Sequence, residues 1–413
     1  MLVQKSRLYG DVSVSGAKNS ALKLLTAAIL TEEPIELFGF PNGLSDVEIH
    51  IKMLSVLGKV SRIDGSYVSI KEDNDRLSQF LNWDGRSIRN TLLILGALTT
   101  RFGSARVPLP GGCKLGERKY DLHIQLLEQM GARVWEEDDK WLCAEVTGRL
   151  HGAEIHLPIR STGATENAVL CGTLARGTTT VWNPHVRPEV LDLIDLLRKM
   201  GADIEVFGQK AIRIHGRDSL SGARHHVIPD NVEALTWAIG SVITGGEVEI
   251  RNFPAEHLEI PMIYLRESGM KIYRGNGEII VRGGVPYPID ISTGPYPGIN
   301  SDMQPLFAVY GAMSKGETKI VDLRFPGRYG YMAELAKMGV RYSVNGDLLA
   351  IHGGASLRGA SVEALDLRAG IALVLAGLVA DGETCIGDSW QITRGYENIV
   401  EKLGRLEAKA SFQ

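Results

Sequence analysis

Excess charge, membrane-length apolar runs and paired cysteines are all missing from this chain, and each shortage removes a class of function. Its 413 residues carry 45 Lys and Arg against 49 Asp and Glu, a formal net charge of -4. That balance gives no reason to expect nucleic acid or an anionic membrane as a partner. The longest apolar run, Ile371 to Ala380, is too short to cross a bilayer. The opening MLVQKSRLYGDVSVSG holds no apolar run suited to a secretory signal, so the expected location is the cytoplasm. The 4 cysteines, at 113, 143, 171 and 385, form no Cys-x-x-Cys pair, which argues against a structural zinc site and a disulfide framework.

What is present is a soluble globular composition, 44% hydrophobic and 23% charged, in a chain too long for one ordinary core. Two domains are expected. One pattern recurs with a period of roughly 70 residues, an Ala/Leu-rich helical stretch running through a Gly- or Glu-containing turn into a β-branched strand. Its six copies read AAILTEEPIELFG, GALTTRFGSARVP, GTLARGTTTVWNP, GSVITGGEVEIRN, GAMSKGETKIVDL and AGLVADGETCIGD. An amphipathic helix follows each, ending on LSVLGKV, LEQMGARV, LRKMGADI, LRESGMKI or LAKMGVRY, where the glycine suits a left-handed cap. The sixth, ENIVEKLGRLEAKA, has Glu407 in the glycine's place. Six such units predict an α/β architecture, most simply two clusters of three.

Repeats carry packing, so function should sit in the loops that differ between copies. The stretch from Pro108 to His123 places Cys113 in a Gly-rich loop beside Lys114, Arg118 and Lys119. Cations lower a thiol pKa, so Cys113 is a candidate for chemistry, against the plainer reading of a surface turn. Several repeats open with a cation or a small polar cluster at a helix start. These are Lys18-Asn19, Arg89, Ser161-Thr162-Gly163, Asp302 and Asp366 with Arg368, and QITRGYENIV adds Arg394. Asp302 reads more readily as a cap than as a catalytic group. Together, helix dipoles and cations suit a strongly anionic ligand, such as a phosphorylated carboxylic acid or a nucleotide.

SGAKNSAL, GGCKLGER, SDMQ, DLRAGIALVLAG and RGYENIVEKL, in this order over nearly the whole chain, resemble the enolpyruvyl transferases, above all the UDP-N-acetylglucosamine 1-carboxyvinyltransferases. The resemblance implies two inside-out α/β barrel domains, each of three βαβαββ-type units, with the active site in the cleft between them. It places one domain at 18–226, with the cysteine loop, and the other at 1–17 and 227–413, with the aspartate. It implies phosphoenolpyruvate as a co-substrate, a uridine nucleotide or UDP-sugar as acceptor, and no metal or prosthetic group. By the same resemblance Cys113 is the general acid toward the methylene carbon and the target of fosfomycin. Lys18, Arg118 and Arg394 hold the donor, and Asp302 lies against the acceptor hydroxyl. Asp366 is a second acidic position needed for turnover, and Arg89, Arg328 and Arg368 are further cleft arginines. Asn19 lies beside the sugar, and Asp121, Leu122, Ser161, Thr162 and Gly163 grip the uridine and its phosphates.

Departures from the family cluster on the acceptor side. Arg118-Lys119-Tyr120-Asp121 replaces an Arg-Pro run, Phe325-Pro-Gly-Arg-Tyr329 replaces Phe-Glu-Asn-Arg-Phe, and Val186-Arg187-Pro188-Glu189 stands for Arg-Glu-Pro-Glu. Arg160 and the Gly298-Ile-Asn-Ser segment also differ, while the donor side is intact. A second expectation is therefore a paralogue acting on another uridine nucleotide, such as UMP, in nucleoside-antibiotic synthesis. A catalytically silent nucleotide-binding paralogue is the alternative of another class, and Cys113 and Asp302 both argue against it.

Overall fold

The signature glycines act as the pivots of the repeats. In the computed structural model, which describes residues 1–73, 77–111, 120–275 and 277–412, Gly58, Gly131, Gly201, Gly269 and Gly339 all take φ between 88 and 105°. Each closes an amphipathic helix by a left-handed cap; at Gly131, its own N–H bonds Glu128 O at 2.9 Å and the next N–H bonds Leu127 O at 2.9 Å. Glu407 does the same with φ 60°, its N–H on Gly404 O at 3.0 Å and Ala408 N–H on Leu403 O at 2.9 Å. The expected long C-terminal helix is shorter than its apolar stripe suggested. It spans Ile399–Arg405, because the chain turns at Glu407 into strand Ala410–Ser411.

The chain divides into two compact units, Gly16–Ile228 and Met1–Ser15 with Pro229–Gln413. In the continuous unit three helices, Lys18–Ala27, Thr91–Phe102 and Thr162–Gly172, pack in the interior. Thr91–Phe102 is small or apolar nearly all round, which suits a helix with no solvent face, while Lys18–Ala27 also buries Lys18 and Thr162–Gly172 also buries Glu166 and Asn167. Ser45–Val56, Asp121–Gln129 and Pro188–Lys199 lie outside them with one exposed side each. The discontinuous unit repeats the plan, with Asn231–Ile243, Gln304–Met313 and Leu367–Val379 inside. Each unit has its own hydrophobic core.

Three sheets surround each core. In a typical one, Ala223–His226 runs parallel to Ile35–Phe38, which pairs antiparallel with Tyr67–Glu72, itself hairpin-joined to Lys59–Asp64. The last sheet departs from this order. Its central strand Glu383–Gly387 takes an antiparallel partner from the far end of the sequence, Leu2–Gln4, with Val3 opposite Thr384, and Leu2–Gln4 then pairs with Ala410–Ser411. No helix among the described residues is long and apolar enough to cross a membrane.

Candidate functional site

In the discontinuous unit, the openings of two interior helices and the loop after strand Glu317–Val321 bring four of the expected residues together. Asp366 caps Leu367–Val379, its Oδ1 accepting from the N–H groups of Arg368 at 2.7 Å and Ala369 at 2.9 Å. Its other oxygen lies 3.4 Å from Arg328 Nη2. Arg328 Nη1 reaches Asp302 Oδ1 at 3.2 Å, and Arg368 Nε lies 3.5 Å from Asp302 Oδ2. The expectation that Asp302 caps its helix is corrected. Gln304–Met313 begins after Met303 with no side-chain cap, and the Asp302 carboxylate turns to the two guanidiniums instead.

Burial works against the charge on Arg328 and Arg368, yet the carboxylates beside them raise both pKa values above the usual arginine range, Asp302 and Asp366 at Arg328 and Asp302 first at Arg368. Arg368 is 1% exposed, and its Nε and Nη1 make no hydrogen bond among the described residues. The anion this buried guanidinium faces is the Asp302 carboxylate, at ion-pair rather than hydrogen-bond distance. Arg394 stands nearby at the end of Trp390–Thr393, 6% exposed, with Nη1 3.0 Å from Gln391 Oε1. Its neighbour Gly395 packs so closely that a Cβ there would meet Leu367 Cδ1 at 2.4 Å and Arg368 Nη1 at 3.6 Å.

The continuous unit gathers its own polar openings. Lys18 is the first residue of Lys18–Ala27 and pairs with Asp46 at 3.0 Å, both buried, while Asn19 beside it is half-buried and caps nothing. Ser161 caps Thr162–Gly172 by accepting from Ala164 N–H at 3.4 Å, and Thr162 Oγ1 meets His185 Nδ1 at 2.8 Å. Asp121 and Leu122 begin Asp121–Gln129, and His123 after them lies against Gly163, whose added Cβ would sit 3.1 Å from Nε2. Burial pushes His123 down to about 3, helped by the cations of Arg89 and Lys23, so its imidazole is neutral. Cys113 and Arg118 lie outside the described residues. The other thiols pack: Cys143 and Cys171 are buried, burial pushing Cys171 up to about 12, and Cys385 is half-buried in a strand.

Three residues around the first cluster escaped sequence reasoning. Asp230 caps Asn231–Ile243, accepting from Val232 N–H at 2.9 Å and Glu233 N–H at 3.0 Å, and its charge reaches Arg368. The segment IPDNVEAL opens the fourth repeat as SDMQ and LDLRAG open the fifth and sixth, and that equivalence was the available signal. Tyr396 lies under Arg368, 5.8 Å from guanidinium to ring, with its hydroxyl 2.8 Å from Thr236 Oγ1. Asp322, 0% exposed, had no local signal at all.

The model of the EPSP synthase (3-phosphoshikimate 1-carboxyvinyltransferase) family matches residues 2–403. The chain belongs to the EPSP synthase family. It is an enolpyruvyl transferase, and its mixed α/β architecture is that of the solved enolpyruvyl transferases. This family member is 40% identical to a UDP-N-acetylglucosamine 1-carboxyvinyltransferase of Actinobacillus succinogenes, covering 98% of this chain and 97% of the other. It is 39% identical to a protein of the same name from Finegoldia magna, at 98% and 97% coverage. Among solved structures, the enolpyruvyl transferase NikO from Streptomyces tendae aligns with TM-score 0.89 at 27% identity, covering 99% of this chain and 97% of that one. EPSP synthase from Acinetobacter baumannii shares the fold, with TM-score 0.76 at 19% identity over 98% of this chain and 97% of that one.

Proposed function

We propose that this enolpyruvyl transferase moves the enolpyruvyl group of phosphoenolpyruvate to the 3'-hydroxyl of UDP-N-acetylglucosamine, releasing phosphate, in the synthesis of peptidoglycan precursors in the cytoplasm. The observation that carries the reading is the 40% identity, end to end, with a protein named for that activity. Phosphoenolpyruvate reacts only once its methylene carbon is protonated, which builds positive charge on the adjacent carbon. Cys113 supplies that proton as general acid. The acceptor hydroxyl attacks the cationic carbon and gives its proton to Asp302. The tetrahedral adduct then loses phosphate and a methylene proton to leave the enol ether. Lys18, Arg118 and Arg394 compensate the charge of donor and leaving group, and the Arg328 and Arg368 guanidiniums fix the Asp302 carboxylate at 3.2 and 3.5 Å. Asp366 holds Arg328 from the other side and is needed for turnover. Asn19, Arg89, Asp121, Leu122, Ser161, Thr162 and Gly163 bind the acceptor. The reading calls for no metal or prosthetic group.

A second acceptor, another uridine nucleotide such as UMP, is favoured by the substitutions at 118–121, 186–189, 298–301 and 325–329 and by the likeness to NikO. Phosphate release from phosphoenolpyruvate, measured against a panel of UDP-sugars and uridine nucleotides with mass analysis of the product, separates the two. Turnover with UDP-N-acetylglucosamine is expected, and turnover confined to UMP would replace it with the second reading. Cys113→Ser should abolish turnover and fosfomycin inactivation together, while Asp302→Asn should lower kcat by about 100-fold or more with little change in substrate binding. Undiminished inactivation of Cys113→Ser by fosfomycin would remove the thiol from the mechanism.

A further inference from the structure

Beside the Asp302–Arg328 pair lies a carboxylate that is linked to Arg328 through the Ser301 hydroxyl. Asp322 follows strand Glu317–Val321 directly and is 0% exposed. Its Oδ1 accepts from Thr293 Oγ1 at 2.8 Å, Arg324 N–H at 3.0 Å and Phe325 N–H at 2.9 Å. Its Oδ2 accepts from Ser301 Oγ at 2.5 Å. The same Ser301 oxygen accepts from Arg328 Nη1 at 3.2 Å, and that nitrogen also donates to Asp302 Oδ1 at 3.2 Å. One carboxylate thus joins the turn that presents Asp302 to the loop that presents Arg328, through a hydroxyl bonded to both.

The chemistry of the anchor is specific. Two of the four groups facing Asp322 are backbone N–H groups, which can only donate, and the Thr293 and Ser301 hydroxyls are turned to donate as well, so every one of these bonds ends on a carboxylate oxygen. An amide would turn an NH2 toward either the Ser301 hydroxyl or the backbone N–H groups of the 323–325 loop. The Ser301 proton is committed to Asp322, which leaves its oxygen to receive Arg328. If that proton is released to rotate, the oxygen no longer faces the guanidinium squarely.

We propose that Asp322 is a positioning residue for the enolpyruvyl transfer: through Ser301 it fixes Arg328, and through Arg328 the Asp302 carboxylate, in the geometry that takes the acceptor proton. This rests on the role given to Asp302 above. Displacement of a reacting group by about 1 Å can cost on the order of 100-fold in rate, so the effect belongs to kcat more than to ground-state binding.

The test compares wild type, Asp322→Asn, Ser301→Ala and the double variant by steady-state phosphate release, with thermal melting as a check on folding. Both single variants should lose about 10- to 100-fold in kcat while KM for phosphoenolpyruvate moves less than about 3-fold. The double variant should be little worse than the more damaged single one, because both cuts break the same connection. Ser301→Ala leaves the Asp322 loop bonds in place and decides the matter if Asp322→Asn does not fold. A folded variant with kcat within about 2-fold of wild type, or losses that multiply in the double variant, overturns the proposal. Absence of turnover in the wild type with every acceptor sinks the functional reading, and this inference with it.

Discussion

Glu166 is the most conspicuous ionisable side chain of the continuous unit. It is 1% exposed, 3.5 Å from the Lys23 ammonium, and neither carboxylate oxygen has a hydrogen-bond partner among the described residues. Burial pushes its carboxyl up to about 7, with the cations of Lys23 and Arg187 pulling it back. The folded state therefore keeps the proton that the unfolded chain releases near its ordinary value, so stability falls as pH rises toward 7. His50 behaves oppositely. Burial, then the charge of Lys23, lowers it to about 3, so stability falls as pH drops below the ordinary histidine value and the unfolded chain binds protons. Urea unfolding at pH 5 and pH 8 should show Glu166→Gln gaining about 2 kcal/mol on wild type between the two. A difference that does not change with pH would contradict a protonated Glu166. In the sequence, Glu166 was one letter of RSTGATENA, a stretch that reads as a cap or a phosphate cradle. The cap was legible because Ser161 bonds within its own turn. The inward carboxylate was not, because its partner Lys23 lies in another helix.

At the scale of elements, the left-handed caps were the most legible feature, since a glycine after an apolar stripe specifies φ by local sterics alone. Glu407 shows what the geometry demands when that residue is absent: the cap forms regardless, with a side chain at φ 60°. Glu407→Gly should then stabilise the discontinuous unit by about 0.5–1 kcal/mol, because the left-handed penalty outweighs the entropy of a glycine. Thermal melting would show it, and a lower midpoint would mean that the exposed Glu407 side chain contributes an interaction of its own. Asp302 was less legible for a related reason. Local capping statistics favour an aspartate bonded within its own helix turn, and the competing partner Arg328 is supplied by a loop from the next part of the repeat. Local rules fixed where the helix opens, and a long-range ion pair decided which way the carboxylate points.

For the molecule as a whole, the periodicity made two clusters of three units legible, but not the strand that completes the last sheet. Leu2–Gln4 has three residues and no period long enough to mark its partner, and only pairing with Glu383–Gly387 and Ala410–Ser411 gives it a place. Val3, 0% exposed, packs on Gly377 of the interior helix. Removing residues 1–4 should expose the backbone of Glu383–Gly387 to hydrogen exchange and loosen Leu367–Val379, with Asp366 and Arg368 at its opening. The helices of Gly16–Ile228 should keep their protection, and a uniform loss across both units would contradict separate cores. The same strand orders events on the ribosome. Gly16–Ile228 is one uninterrupted stretch that can become a finished body while translation continues, whereas the other half must hold Leu2–Gln4 in reserve until Glu383–Gly387 and Ala410–Ser411 have been made. A nascent chain stalled anywhere before that point carries one completed domain and one open edge, and it is there that a chaperone would find its substrate.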